Sequence, residues 1–269
     1  MNNIGEWFDP IRKVPLEYNG TKSNAWSVQR EDLEDNTGWK EVGVVSNSYL
    51  LINNTDVENL ANDIAKSSQY SWTKDKVFWN GRQFMYSLIA KDYTEEVSVG
   101  DDVALGMMFW NSYDGSTALQ FKLFLQRLVC LNGMVSNDIF KSYRFKHDSS
   151  SEGYDEQIIE AAKIIDNSED NIRYFIKSLR YLQSQMLTME NLSYLRKNYL
   201  QDLPTSLLGN IVDNALNYEH TTMYDFLNSG TNVLWHKKKS TKADFDHNAY
   251  ITDNMIKYTN DLLKDGYVE

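Results

Sequence analysis

Near residue 150 the spacing of apolar side chains changes from that of a strand to that of a helix, and this change constrains the fold more than any other feature. Before it, EVGVVSNSYLLI at 41–52, KVFW at 76–79, RQFMYSLIAKDY at 82–93, VALGMMFWNSY at 103–113 and STALQFKLFLQRLV at 116–129 are rich in β-branched and aromatic residues. Asn80-Gly81 separates the second and third of these segments, and Asp114-Gly115 the last two. Both dipeptides tolerate the positive φ of a tight hairpin, so each predicts antiparallel neighbours. In the last segment Leu119, Phe121, Leu123 and Leu125 alternate with Gln120, Lys122, Phe124 and Gln126, predicting one core face and one largely polar face that carries Lys122. Ahead of Val57, Leu60, Ala61 and Ile64, Thr55 and Glu58 have capping-box spacing and predict an amphipathic helix.

Beyond residue 153 the helical period takes over. Ile158, Ala162 and Ile165 mark one helix, and Ile172, Phe175, Ile176, Leu179, Leu182 and Met186 a second. Pro204 suits the first turn of a third, with Leu207, Leu208, Ile211, Val212, Ala215 and Leu216 on its apolar face. Further helices are predicted at 221–234 and 249–264. Residues 1–40, with Pro10, Pro15, Gly20 and an acidic cluster, predict an irregular leader that packs through Trp7, Phe8, Trp26 and Trp39. The expected architecture is α+β: this leader, a core over 41–147 in which a helix packs on an antiparallel sheet, and a helical region over 153–269 packed on that core.

Charge and motif content exclude several classes. With 27 basic against 38 acidic residues, the net charge is −11. Cys130 is the only cysteine, so a disulfide-stapled fold is out. The first residues lack an apolar signal segment, and the apolar runs at 103–110 and 123–131 fall far short of the roughly 20 residues of a membrane span. A cytoplasmic protein without membrane contact is expected. Neither phosphate-cradling glycine motif is present, so no nucleoside triphosphate cofactor is predicted.

No local pattern gives a zinc site. His220 and His236 could meet across two helices, but hydrogen bonds at helix ends are their ordinary role. Cys130, within Leu128-Val129-Cys130-Leu131, reads as a core residue rather than a nucleophile. Asp101 and Asp102 fit a loop. No catalytic residue and no cofactor is predicted.

One segment runs against the acidic balance. Residues 118–147 carry Lys122, Arg127, Lys141, Arg144 and Lys146 against Asp138 alone, with Tyr143 and Phe145 interleaved and His147 closing the run. Cations that track phosphates beside rings that stack on bases suit a single-stranded nucleic acid. The bland alternative pairs Arg127 with a core carboxylate and leaves the rest as a solvated face. A second basic run, Lys237, Lys238, Lys239 and Lys242, could hold phosphate or simply be solvated. Residues 148–166 have the opposite sign, with Asp148, Glu152, Asp155, Glu156, Glu160 and Asp166 against Lys163. Such a face suits a basic protein partner.

The segments GVVSNSYLLINN at 43–54, NGRQFMYSLIA at 80–90, NSYDGSTALQFKLFLQRLVCLNGM at 111–134 and YRFKHDSSS at 143–151 occur in an order that resembles the phage- and plasmid-associated proteins grouped as domain of unknown function 932. The most specific part is Asp114-Gly115-Ser116, then Arg127, Cys130 and Asn132, then His147. LPTSLLGNIVDNALNYEH and MYDFLNSGTNVLWH resemble the family's C-terminal helices, so the resemblance covers about residues 40–236. Gly133 stands where a threonine would be more usual, and Phe145 interrupts the basic segment.

The resemblance implies a phage gene acting in the cytoplasm of an infected bacterium. The expected strand–helix–three-strand–helix order also looks like the core of RecT/Redβ-type annealing proteins. The resulting expectation is a homo-oligomeric DNA-metabolism protein that binds single-stranded DNA without ATP and anneals strands. The alternative is an acidic module that binds a host or anti-phage defence protein through 148–166.

Overall fold

The computed structural model describes residues 10–32, 38–145, 155–216, 221–237 and 241–264. It is α+β. One antiparallel sheet has three strands, β1 (Ile11–Tyr18), β2 (Thr21–Asp32) and β3 (Gly38–Ser46), in the order β1-β2-β3. Helix α1 (Asn54–Ser67) follows, and then a second sheet with β4 (Trp72–Trp79), β5 (Gln83–Ser98), β6 (Asp101–Ser112), β7 (Gln120–Arg127) and β8 (Asn132–Val135) in sequential order. The short β9 (Ser142–Arg144) pairs with β7 antiparallel, Phe121 opposite Tyr143. The remainder is helical: α2 (Asp155–Asp166), α3 (Glu169–Ser184), α4 (Met189–Asn198), α5 (Thr205–Ala215), α6 (Met223–Trp235) and α7 (Lys242–Lys264). Among the described residues no helix is long and apolar enough to cross a membrane.

Residues 11–32, expected to be irregular, are instead two strands of the first sheet. The reason lies at their junction, where Asn19 (φ 50°) and Gly20 (φ 74°) supply the two positive φ values of a tight hairpin turn. Pro15 is tolerated because it sits on the edge strand β1, where the register slips between Pro15 and Glu17. Trp26 packs against the cluster of Val28, Val42, Val45 and Tyr113, while Arg12 lies 3.9 Å over the Trp39 ring. Trp7 and Phe8 lie outside the described residues.

The cap of α1 is two residues earlier than the sequence suggests. Asn53 caps it, and the Asp56 carboxylate accepts the Asn53 backbone amide at 3.2 Å. Glu58 instead accepts from Lys74 across 3.4 Å. Pro204 is the cap itself, one position before α5 begins. The Asn80 side chain closes the β4–β5 turn by accepting from the Arg82 and Gln83 amides at 3.0 and 2.8 Å, with Gly81 at φ 87°.

By its internal contacts the chain divides into two compact units, one of Met1–Leu88, Met107–Lys122 and Ser142–Asp166, the other of Ile89–Gly106, Leu123–Lys141 and Asn167–Glu269. In the first, Phe78 stacks on Trp110, Phe109 meets Phe121 at a tilt of 45°, and Asn111 holds the Ile52 carbonyl at 3.0 Å. In the second, Phe124, Trp235 and Phe245 form a chain of rings with centroids 5.2 and 5.4 Å apart. Phe124 and Gln126 are therefore buried, and the face of β7 expected to be largely polar is not a solvent face.

Candidate functional site

The residues named on the basic segment are placed very differently from one another. In the first unit Lys122 is half-buried on β7, and Arg144 is exposed on β9. Phe145 is 1% exposed, because its amide donates to the Leu119 carbonyl at 3.0 Å and draws it inward. Its ring cannot stack on a base, which corrects the expected role. Tyr143, half-exposed, meets Phe145 edge-on at 5.0 Å. Burial, then the charges of Glu160 and Glu156, push the Tyr143 phenol pKa up, so carboxylates of α2 surround the one surface ring of the segment. In the second unit Lys141 is exposed. Lys146 and His147 lie outside the described residues.

Arg127 has the other role weighed for it, pairing with a core carboxylate. It ends β7, and its Nε donates to Asp101 Oδ1 at 2.7 Å, with side chains 21% and 10% exposed. Asp101 is the first residue of β6 rather than a loop residue. Burial opposes the guanidinium's charge, but the hydrogen bond and the Asp101 carboxylate outweigh it and hold its pKa above the ordinary value. The guanidinium also lies 5.4 Å over the Tyr224 ring.

The motif residues that follow Arg127 build one turn. The Leu131 amide donates back to the Arg127 carbonyl at 2.8 Å, which forces Leu131 to φ 56°, a left-handed conformation unusual for a leucine. The Cys130 thiol donates to Asn132 Oδ1, and the Asn132 amide donates to Thr231 Oγ1 at 2.7 Å. His236, the C-cap of α6, meets the Cys130 carbonyl through Nε2 at 3.0 Å, a hydrogen bond at a helix end as expected. Arg127, Cys130 and Asn132 thus tie the β7–β8 turn to α6. What they leave at the surface is apolar: Val129 is 65% and Leu131 53% exposed. Asp101, Tyr224 and Thr231 are partners that the sequence alone does not announce. A signal was present in Asn228-Ser229-Gly230-Thr231, polar or small residues inside an otherwise apolar helix.

Two lysines of the second basic run are spent on helix α7. Lys237 pairs with Asp244, and Lys242 with Asp246 at 2.7 Å. Lys238, Lys239 and His220 lie outside the described residues. Asp244 also accepts from the Thr241 amide and hydroxyl at 2.8 and 2.9 Å, a capping box. Burial alone would raise the Asp244 pKa, but the bonds from Lys237 and Thr241 prevail and place it below the ordinary 3.8. A carboxyl depressed on folding stabilises the fold above its unfolded pKa, and that contribution disappears as pH falls through the folded value. An Asp244→Asn variant is therefore expected to melt below the wild type at neutral pH, with the gap closing as pH falls below 3.8. Thermal melts over that pH series check it.

Among the described residues no three of His, Cys, Asp and Glu come together as a metal site. A family described as Domain of unknown function (DUF932) matches residues 41–256, extending past residue 236, where the resemblance read from the sequence stops. No curated protein and no solved structure matches the chain.

Proposed function

The chain belongs to the DUF932 family, and on that premise we propose that it is a phage DNA-metabolism protein that binds single-stranded DNA without ATP, acts as a homo-oligomer and promotes strand annealing. The observation that carries this reading is the state of two cations: Lys141 and Arg144 are exposed and enter no ion pair among the described residues. The element order departs from the expected strand–helix–three-strand–helix core, since six strands, β4 to β9, lie between α1 and α2.

Magnitudes shape the proposal. Each phosphate neutralised on a single strand contributes about 0.7 to the slope of log affinity on log salt, so two cations give a slope of only about 1.4. Against a net charge of −11, a lone protomer binds weakly. Useful affinity comes from several protomers contacting one strand, each repeating the same few contacts. Charge reversal at both positions, Lys141→Glu with Arg144→Glu, is expected to weaken binding of a labelled single-stranded oligonucleotide by about tenfold or more at low salt, with the circular dichroism unchanged. Unchanged affinity would contradict the proposal.

A second reading rests on α2. Glu156 and Glu160 are exposed there beside Tyr143, and Ile159 is 53% exposed between them. An acidic helix with an apolar residue on its outer face suits a basic segment of a host or defence protein. On that reading the double charge reversal leaves oligonucleotide behaviour as it is in the wild type.

A further inference from the structure

Two hairpin turns meet at one end of the sheet in the second unit. Val99 and Gly100 join β5 to β6, and residues 128–131 join β7 to β8. The Leu128 amide donates to the Asp102 carbonyl at 2.8 Å and the Arg127–Asp101 ion pair lies next to it, so the turns are neighbours. They present four aliphatic side chains to solvent: Val99 is 98% and Leu128 36% exposed, beside Val129 and Leu131. The four expose on the order of 400 Å², comparable to the largest apolar patch of an ordinary monomer, which is often functional.

Local energetics disfavour this arrangement. Leu131 has φ 56°, a conformation that glycine or asparagine adopts with little strain and leucine does not. The leucine recovers nothing by burial, since more than half of it faces solvent. The turn is nonetheless held in place: the Leu131 amide reaches the Arg127 carbonyl, Asn132 reaches Thr231, and His236 meets the Cys130 carbonyl. Strain that the surroundings over-determine points to a functional position. What this position offers is aliphatic surface, and because the turn is already rigid, covering it costs little ordering entropy.

Charge selects the occupant. None of the four side chains is charged, so the patch offers nothing to a phosphate. Glu96, which accepts from the Gly100 amide at 3.2 Å, and Asp102 stand exposed at its edge and repel an anionic membrane surface. A two-fold contact sets a surface against its own copy, which suits aliphatic side chains and penalises a patch of one charge. Between two chains of net charge −11, an uncharged patch is also where close approach meets the least repulsion. We propose that the two turns form a two-fold interface with a second copy of this chain, built on Val99, Leu128, Val129 and Leu131. This deepens the homo-oligomer part of the reading above and does not require the strand. Two such patches bury about 800 Å² in all, short of the roughly 1,200 Å² of a stable dimer, so association is weak and concentration-dependent.

Sedimentation velocity of the full chain without nucleic acid tests this, from micromolar to several hundred micromolar and at two salt concentrations. The wild type is expected to approach twice the chain mass as concentration rises, more readily at the higher salt, where repulsion is screened. Strand binding has the opposite salt dependence. Val129→Ser with Leu131→Asn is expected to weaken association about tenfold or more. Asparagine suits the left-handed backbone, so this variant is expected to melt no lower than the wild type. Val99→Ser, on the other turn, repeats the test at a side chain with no packing to lose, and it too is expected to weaken association. A wild type that stays monomeric, variants that associate as the wild type does, or growth past two copies without a plateau overturns the interface. A monomeric wild type that binds oligonucleotide removes the interface and leaves the strand reading standing. A dimer that binds no oligonucleotide does the reverse.

Discussion

Gly133→Thr is expected to destabilise the protein by about 3 kcal/mol, the upper range of core overpacking, and to lower the melting temperature by about 6–12 °C. A Cβ at position 133 would lie 2.6 Å from two ring atoms of Trp235. The ring cannot retreat: Trp235 is 2% exposed and held between Phe124 and Phe245. This accounts for the glycine where the family resemblance favours threonine, since the chain fills with an indole the space that a threonine would need. Combining Gly133→Thr with Trp235→Leu should recover part of the loss. A melt of the single variant that matches the wild type would contradict the packing argument.

Arg127→Leu is expected to cost about 3 kcal/mol, because it leaves the Asp101 carboxylate in the interior without its counter-charge. The low end of the range applies, since a fifth of the Arg127 side chain still reaches solvent. Asp101→Leu with Arg127→Leu should recover most of the stability, as removing both charges removes the uncompensated one. Urea unfolding of the three proteins measures this. The double variant should also bind oligonucleotide as the wild type does. Weaker binding there would return Arg127 to the DNA interface from which its ion pair withdraws it.

Much of the fold was legible because local signals agreed with tertiary ones. Asn80-Gly81 lies between apolar runs of strand period, and the helix built on Phe175, Leu179 and Leu182 buries all three. Asn19-Gly20 carries the same turn chemistry, but Pro15 and the charged residues around it hide the strand period. The first sheet was missed for that reason. The site was less legible, since a cation's availability depends on which carboxylate folding brings to it. Asp101 lies 26 positions before Arg127 in the chain, and nothing local marks the pair. Phe145 reads as an interleaved aromatic, yet the pairing of β9 with β7 buries the ring that follows it.

The most direct measurement is the anisotropy of a labelled single-stranded oligonucleotide titrated with the wild-type chain at two salt concentrations. The account predicts saturable, cooperative binding that weakens as salt rises, with a slope above the roughly 1.4 that the two exposed cations of one protomer can supply. Absence of binding at the lower salt would contradict it and leave the acidic face of α2 as the surface that acts.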